Sequence, residues 1–178
     1  GRYAEGIELL ERAYAARPHP SVLFNIARAR VANGQLDTAI ENFEQYLESD
    51  PSDAAPVREM IGDLRMRIAL RNTVDDGMRA IRAGRHAEGI ALLSRAYERR
   101  PHANLLFNIA RAKEDAGELD GALDTYRRYL ETKPADAARV MERVAQLLAK
   151  RDAATTARAD VRSHAPSART SPEHPKEP

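Results

Sequence analysis

The sequence predicts an all-α fold, a solenoid of antiparallel helix pairs, and three observations predict it. Residues 1–51 return as residues 84–134 without a gap, with 29 of 51 positions identical. Inside that larger unit lies a shorter period: Gly1 and Gly34, Pro18 and Pro51, Gly84 and Gly117, and Pro101 and Pro134 are separated by one interval, about 33 residues. Between those glycines the apolar residues recur at helical spacing rather than alternating. Composition agrees, since 43% of the chain is hydrophobic but only 5% aromatic, with no Trp and three Phe. Alanine-rich helices approach one another closely, and alanine is the best helix former.

The elements follow in chain order. Residues 1–18 fit the second helix of a repeat whose first helix is missing, with Gly6, Leu10, Ala13 and Pro18 in place. Across residues 21–32, Val22, Leu23, Ile26, Ala27 and Val31 share one helical face, and Gly34 supplies the glycine that ends a helix. Leu36, Ala39, Ile40, Phe43, Tyr46 and Leu47 make the face of an antiparallel helix over 37–49, with Pro51 just beyond its end. Val57, Met60, Ile61, Leu64 and Ile68 then line a solitary helix over 54–70, with Pro56 in its first turn, where proline is tolerated. Such a helix caps a stack of pairs.

Residues 73–83 fit a poor first helix, since Asp75 and Asp76 stand where apolar residues are expected beside Gly77 and Ala80. Residues 84–134 repeat the first module, and Val140, Val144, Leu147 and Leu148 mark a second capping helix over 137–151. About nine helices are therefore expected between residues 2 and 154. From residue 155 the pattern collapses, because the segment 155–178 holds four of the ten prolines and only Val161 as a large aliphatic. A stretch of that composition cannot offset its ordering entropy. The domain reading is module one over 1–70, module two over 71–154, and a disordered linker or tail over 155–178. The chain opens on Gly1, has Met60 as its first methionine, and reads as a fragment or processed product of a longer protein.

A period of that length admits helical or ankyrin-type repeats, and no ankyrin-like Thr-Pro-Leu-His run is present. The sequence resembles the tetratricopeptide repeat. The residues that carry the resemblance are Leu23, Ile26-Ala27, Arg30, Gly34, Ala39, Phe43, Tyr46 and Pro51. Their second copies are Leu106, Ile109-Ala110, Lys113, Gly117, Ala122, Tyr126, Tyr129 and Pro134. Arg30 and Lys113 replace the family's usual Tyr, and Tyr46 and Tyr129 replace a small residue. The resemblance covers residues 1–150 and implies a right-handed superhelix with a concave, partner-binding inner face. The first helix, of LFNIARA type, looks like those of bacterial multidomain proteins in which such repeats sit beside kinase, envelope or regulatory domains.

Several function classes are excluded on chemistry. The 28 basic and 27 acidic side chains give a net charge of +1, so no global field draws nucleic acid or an anionic membrane. No apolar run approaches the length needed to cross a bilayer, and membrane insertion is not expected. With no cysteine there is no disulfide, thiolate nucleophile or cysteine-ligated zinc, and the compartment stays open between cytoplasm and periplasm. His19 and His102 recur by duplication at turns, without HExxH or a third ligand, so no metal is expected. The nine glycines are dispersed and form no phosphate loop. Cofactors and catalytic residues are accordingly none, and an enzyme is not expected.

The informative constellation is Phe24-Asn25-x-x-Arg28 with its copy Phe107-Asn108-x-x-Arg111. Positions i, i+1 and i+4 lie together on a helix flank beside the packing face. The resemblance places Asn25 and Asn108 at the family's groove asparagine and Arg28 and Arg111 in the next groove row, where an arginine grips a carboxylate with two parallel bonds. The bland alternative is backbone satisfaction by the asparagines and ion pairing by the arginines. Arg58 and Arg65 on the next helix are expected to face the first groove, whereas Met141 and Leu148 occupy those places in the second. The sequence thus predicts a basic groove in the first module and a more apolar one in the second. The expected function is a non-catalytic scaffold that binds a protein or peptide segment, acidic at the first module. The alternative is a structural spacer or self-association segment of a larger regulatory or envelope protein.

Overall fold

The computed structural model describes residues 2–163, and among them every regular element is an α-helix. Eight helices succeed one another: α1 (Arg2–Ala16), α2 (Pro20–Ala32), α3 (Leu36–Leu47), α4 (Ala54–Arg82), α5 (His86–Arg99), α6 (Ala103–Asp115), α7 (Leu119–Glu131) and α8 (Ala137–Ser163). The chain divides into two compact units, Gly1–Arg79 and Ala80–Pro178. The boundary falls within α4, whose last turn belongs to the second unit.

The helix ends follow from local chemistry and recur in both copies. His19 and His102 are N-caps, each Nδ1 accepting the backbone N–H two positions on, at 3.3 Å from Ser21 and 3.2 Å from Asn104. Pro20 then occupies the first turn of α2, where its missing N–H costs nothing. Helices α2, α4 and α6 stop at Gly34, Gly84 and Gly117, whose φ of 79°, 75° and 79° is the left-handed conformation a residue with Cβ resists. Asp50 and Lys133, equivalent under the repeat, adopt φ of 49° and 53° without that freedom.

In the first unit Ala27 of α2 and Ala39 of α3 are fully buried, which brings those helices close together, and Phe43 inserts beside them. Val57, Ile61 and Leu64 of α4 close this core from the other side. Burying a side chain such as Phe43 contributes about 2–3 kcal/mol. The second unit repeats the arrangement with Ala110, Ala122, Tyr126, Val140 and Leu147.

The two departures from the family pattern have structural work. Arg30 crosses from α2 to donate to Asn42 Oδ1 on α3 and pairs with Glu11 of α1 at 2.6 Å; Lys113 donates to Thr125 Oγ1 at 3.2 Å in the same place. Tyr46 and Tyr129 donate their hydroxyls to Asp53 and Asp136, at 2.7 and 2.8 Å, and so fasten the loop that leads into the next long helix.

Two expectations are corrected. Residues 54–70 and 73–83 form not two helices but one 29-residue helix, α4, so eight helices among the described residues replace nine. Asp75 and Asp76 are compatible with it because both are exposed while Gly77 and Ala80 are buried. Likewise α8 runs through to Ser163, so the start of the segment read as a tail is helical. The run AATTARAD carries enough helix propensity to prolong a helix already nucleated. The rest of that reading, residues 164–178, lies outside the described residues.

Candidate functional site

Each unit holds an open concavity between the first helix of its full repeat, α2 or α6, and the long helix two elements later. In the first unit Arg28 and Val31 come from α2, Phe43 from α3, and Met60, Asp63, Leu64 and Arg67 from α4, around a volume of about 280 Å³. In the second, Phe107, Arg111, Glu114 and Asp115 come from α6, Tyr126 from α7, and Arg139, Val140, Glu142, Arg143 and Gln146 from α8, around about 420 Å³. Arg28 and Arg111 are the same position in the two copies, and both are exposed.

An aromatic cluster supports the wall of each. Phe24 meets Phe43 edge to face with centroids 5.5 Å apart and lies 5.3 Å from Tyr46. Phe107 stands 6.1 Å from Tyr126 and 5.3 Å from Tyr129 in the same way. The Arg28 guanidinium sits 5.9 Å over the Phe24 ring, which limits its rotamers and holds the cation at the rim.

Phe24 and Phe107 are therefore half-buried supports, and Asn25 and Asn108 are exposed and half-buried respectively on the same helices. Arg58 is exposed and is not among the residues lining the first cavity. Arg65 turns toward α3, where it pairs with Glu44 at 2.5 Å, and Arg71 pairs with Asp37 of that helix at 3.6 Å. Of the three cations expected together, Arg28 alone borders the cavity, and Arg67 takes the place expected of the other two.

Nor is the second cavity apolar. Leu148 packs against the core and Met141 is exposed, neither of them lining the cavity, which has three arginines and three carboxylates instead. The difference is one of register on the long helices. With Val57, Ile61 and Leu64 in the core, the row that flanks the cavity is Met60, Asp63 and Arg67, not Arg58 and Arg65.

Alignment of the two copies shows a coordinated difference. Under the duplication that carries Gly1 onto Gly84, Val31, Phe43 and Met60 correspond to Glu114, Tyr126 and Arg143. Arg143 donates to both carboxylate oxygens of Glu114, with Nε to Oε2 at 3.1 Å, and the Tyr126 hydroxyl donates to Oε2 at 3.1 Å. Burial, the charge of Glu114 and the hydrogen bond to it, in that order, push the Tyr126 phenol up from its ordinary range. The same carboxylate holds the Arg143 guanidinium more firmly protonated. An apolar triplet in one unit is a closed polar network in the other. The signal was available in the sequence as three apolar-to-polar changes at aligned positions.

Among the described residues no group of three His, Asp or Glu side chains is placed to hold a metal ion, and no helix is long and apolar enough to cross a membrane. The tetratricopeptide repeat model matches residues 1–54 and 75–137, with the repeat landmarks at the turn glycines and buried alanines described above. The chain belongs to the tetratricopeptide repeat family. Residues 55–74, which the repeat model leaves out, are most of the first two-thirds of α4. No curated protein matches the chain significantly. Among solved structures it is similar to MamA AMB-1, at 20% identity over 88% of this chain and 85% of that one, with a TM-score of 0.39. It is also similar to a thermophilic tetratricopeptide repeat protein of Thermus thermophilus, at 22% identity over 83% and 91%, with a TM-score of 0.40. As a tetratricopeptide repeat protein the chain is built from a module of protein interaction.

Proposed function

We propose that this chain is a non-catalytic scaffold that holds an extended or helical protein segment against the face formed by α2 with α4 or against the one formed by α6 with α8. The observation that carries this reading is the recurrence, in both units, of an exposed arginine on the first helix at the rim of an open concavity walled by the long helix. Charge distinguishes the two. Arg28 and Arg67 against Asp63 leave the first rim cationic, while the second balances three arginines with three carboxylates. An acidic segment is therefore favoured at the first unit, each exposed pair contributing about 0.5–1 kcal/mol.

The test begins with dodecapeptides selected from a random displayed library on the full chain, their affinities then measured by fluorescence anisotropy. Arg28→Glu should weaken the selected acidic peptides about tenfold, and Arg12→Glu, on α1, should leave them unchanged. Equal effects of the two substitutions would contradict the proposal.

A second reading, self-association, is favoured by Tyr3 and Leu9 of α1, which are 56% and 64% exposed. Their repeat counterparts His86 and Leu92 are half-buried. Sedimentation that depends on protein concentration, and that Tyr3→Glu with Leu9→Glu abolishes, would support it; a monomer at all concentrations would not.

A further inference from the structure

We infer that the first unit's cavity is an anchor pocket for one large aliphatic side chain of the partner, set beside a partner carboxylate, and that Val31 and Met60 determine this choice. The inference rests on the reading that these faces meet a protein segment. The cavity floor is Phe43 and Leu64, 1% and 4% exposed, and its sides are the half-buried Val31 and Met60. None of these four side chains brings a donor or an acceptor that a polar group would need. An apolar side chain entering there loses water without leaving an unpaired polar atom. At the rim stand Arg28 and Arg67 with Asp63, two cations against one carboxylate, so the residue adjoining that anchor is favoured when it is Asp or Glu.

The second unit supplies the control within the same molecule. There the counterparts of Val31, Phe43 and Met60 are Glu114, Tyr126 and Arg143 joined by hydrogen bonds, and Glu114 retains only 10% of its side-chain exposure. An apolar group seated on that network would strip water from the rest of the ion pair with no compensating bond, and such a mismatch discriminates strongly. The second unit therefore rejects the anchor that the first accepts. Each unit therefore selects by its own chemistry, the first an aliphatic residue with an acidic neighbour and the second a polar stretch. The row Met60, Asp63 and Arg67 makes α4, rather than the first helix alone, a specificity element.

Dodecapeptide selection on the full chain should return an aliphatic residue, Leu, Ile or Met, next to Asp or Glu. The same selection on the variant carrying Val31→Glu, Phe43→Tyr and Met60→Arg, which installs the second unit's network in the first, should lose that pattern. Replacing the aliphatic residue of a selected peptide by Ala should weaken binding to the native chain about tenfold and to the triple variant less than twofold. Met60→Gln, a milder change at a half-buried position, keeps the test valid if the triple variant unfolds; it should weaken the peptide at least threefold. Peptides sensitive to Arg28→Glu but indifferent to Met60→Gln and to loss of their aliphatic residue would overturn this inference and leave the scaffold reading intact. Peptides indifferent to Arg28→Glu as well would overturn both.

Discussion

Glu114 keeps about a tenth of its side-chain surface in water, and a carboxylate so placed is tolerable only while Arg143 and Tyr126 supply its hydrogen bonds. Arg143→Met removes both guanidinium bonds and should destabilise the second unit by about 1–2 kcal/mol, the cost of leaving a buried acceptor short of partners. Changing all three residues to their first-unit counterparts, Glu114→Val, Tyr126→Phe and Arg143→Met, should recover most of that loss, because a packed apolar triplet already fills the same frame in the first unit. Urea melts of the two variants check both statements. The Tyr126 phenol has a second consequence, for pH. Its folded pKa is raised above the ordinary value of 10.0, so the folded state binds the proton more tightly than the unfolded chain. The stability this supplies is fully present below pH about 10 and is lost as pH rises through the folded value. Tyr126→Phe should flatten part of the fall in melting temperature as pH rises above about 10, while Tyr46 and Tyr129, also raised by their Asp53 and Asp136 partners, keep the remainder. Identical profiles would refute the assignment. At this scale the sequence was legible where a residue type has one use, as with the turn glycines and the buried alanines. It was illegible where geometry selects among several, as with Arg58, Arg65 and Arg67, three arginines on one helix of which one reaches the cavity.

Among the helices, α4 and α8 depart furthest from the repeat pattern, at 29 and 27 residues against 12 to 15 for the others. Their apolar stripes were visible in sequence, yet residues 73–83 read as a separate, poor first helix because Asp75 and Asp76 stand where its apolar residues were expected. A polar pair on the exposed side interrupts nothing: Asp76 pairs with Arg79 at 2.7 Å one turn on, and the backbone continues. Continuity has a direct test at Asn72, which the sequence placed between two helices. Asn72→Pro should cost about 3 kcal/mol or more if the helix is unbroken, by removing an interior hydrogen bond and clashing with the preceding turn; a loop would accept it with little change. The short turns give the opposite expectation. Asp50 and Lys133 sit at positive φ in the loops after α3 and α7, so Asp50→Gly and Lys133→Gly should each stabilise by about 0.5–1 kcal/mol, measurable as a higher melting temperature.

At the level of the whole molecule, one plan is used twice, and each unit carries its own core and its own cavity. The plan was legible because duplication repeats every landmark together, turn glycine, buried alanine and closing proline. What each copy does with its cavity was not, because that depends on three side chains from three successive helices, well separated in sequence but meeting in space. On the proposed function, the face of α2 with α4 or that of α6 with α8 receives a protein segment. Hydrogen exchange of the full chain, with and without a saturating selected dodecapeptide, reads this out, since exchange of exposed helix amides slows where a ligand covers or stiffens them. Slowed exchange is predicted along α2 around residues 25–31 and along α4 around residues 60–67, with α1 and α3 unchanged. Slowing confined to α1, or spread evenly over all helices, would contradict it.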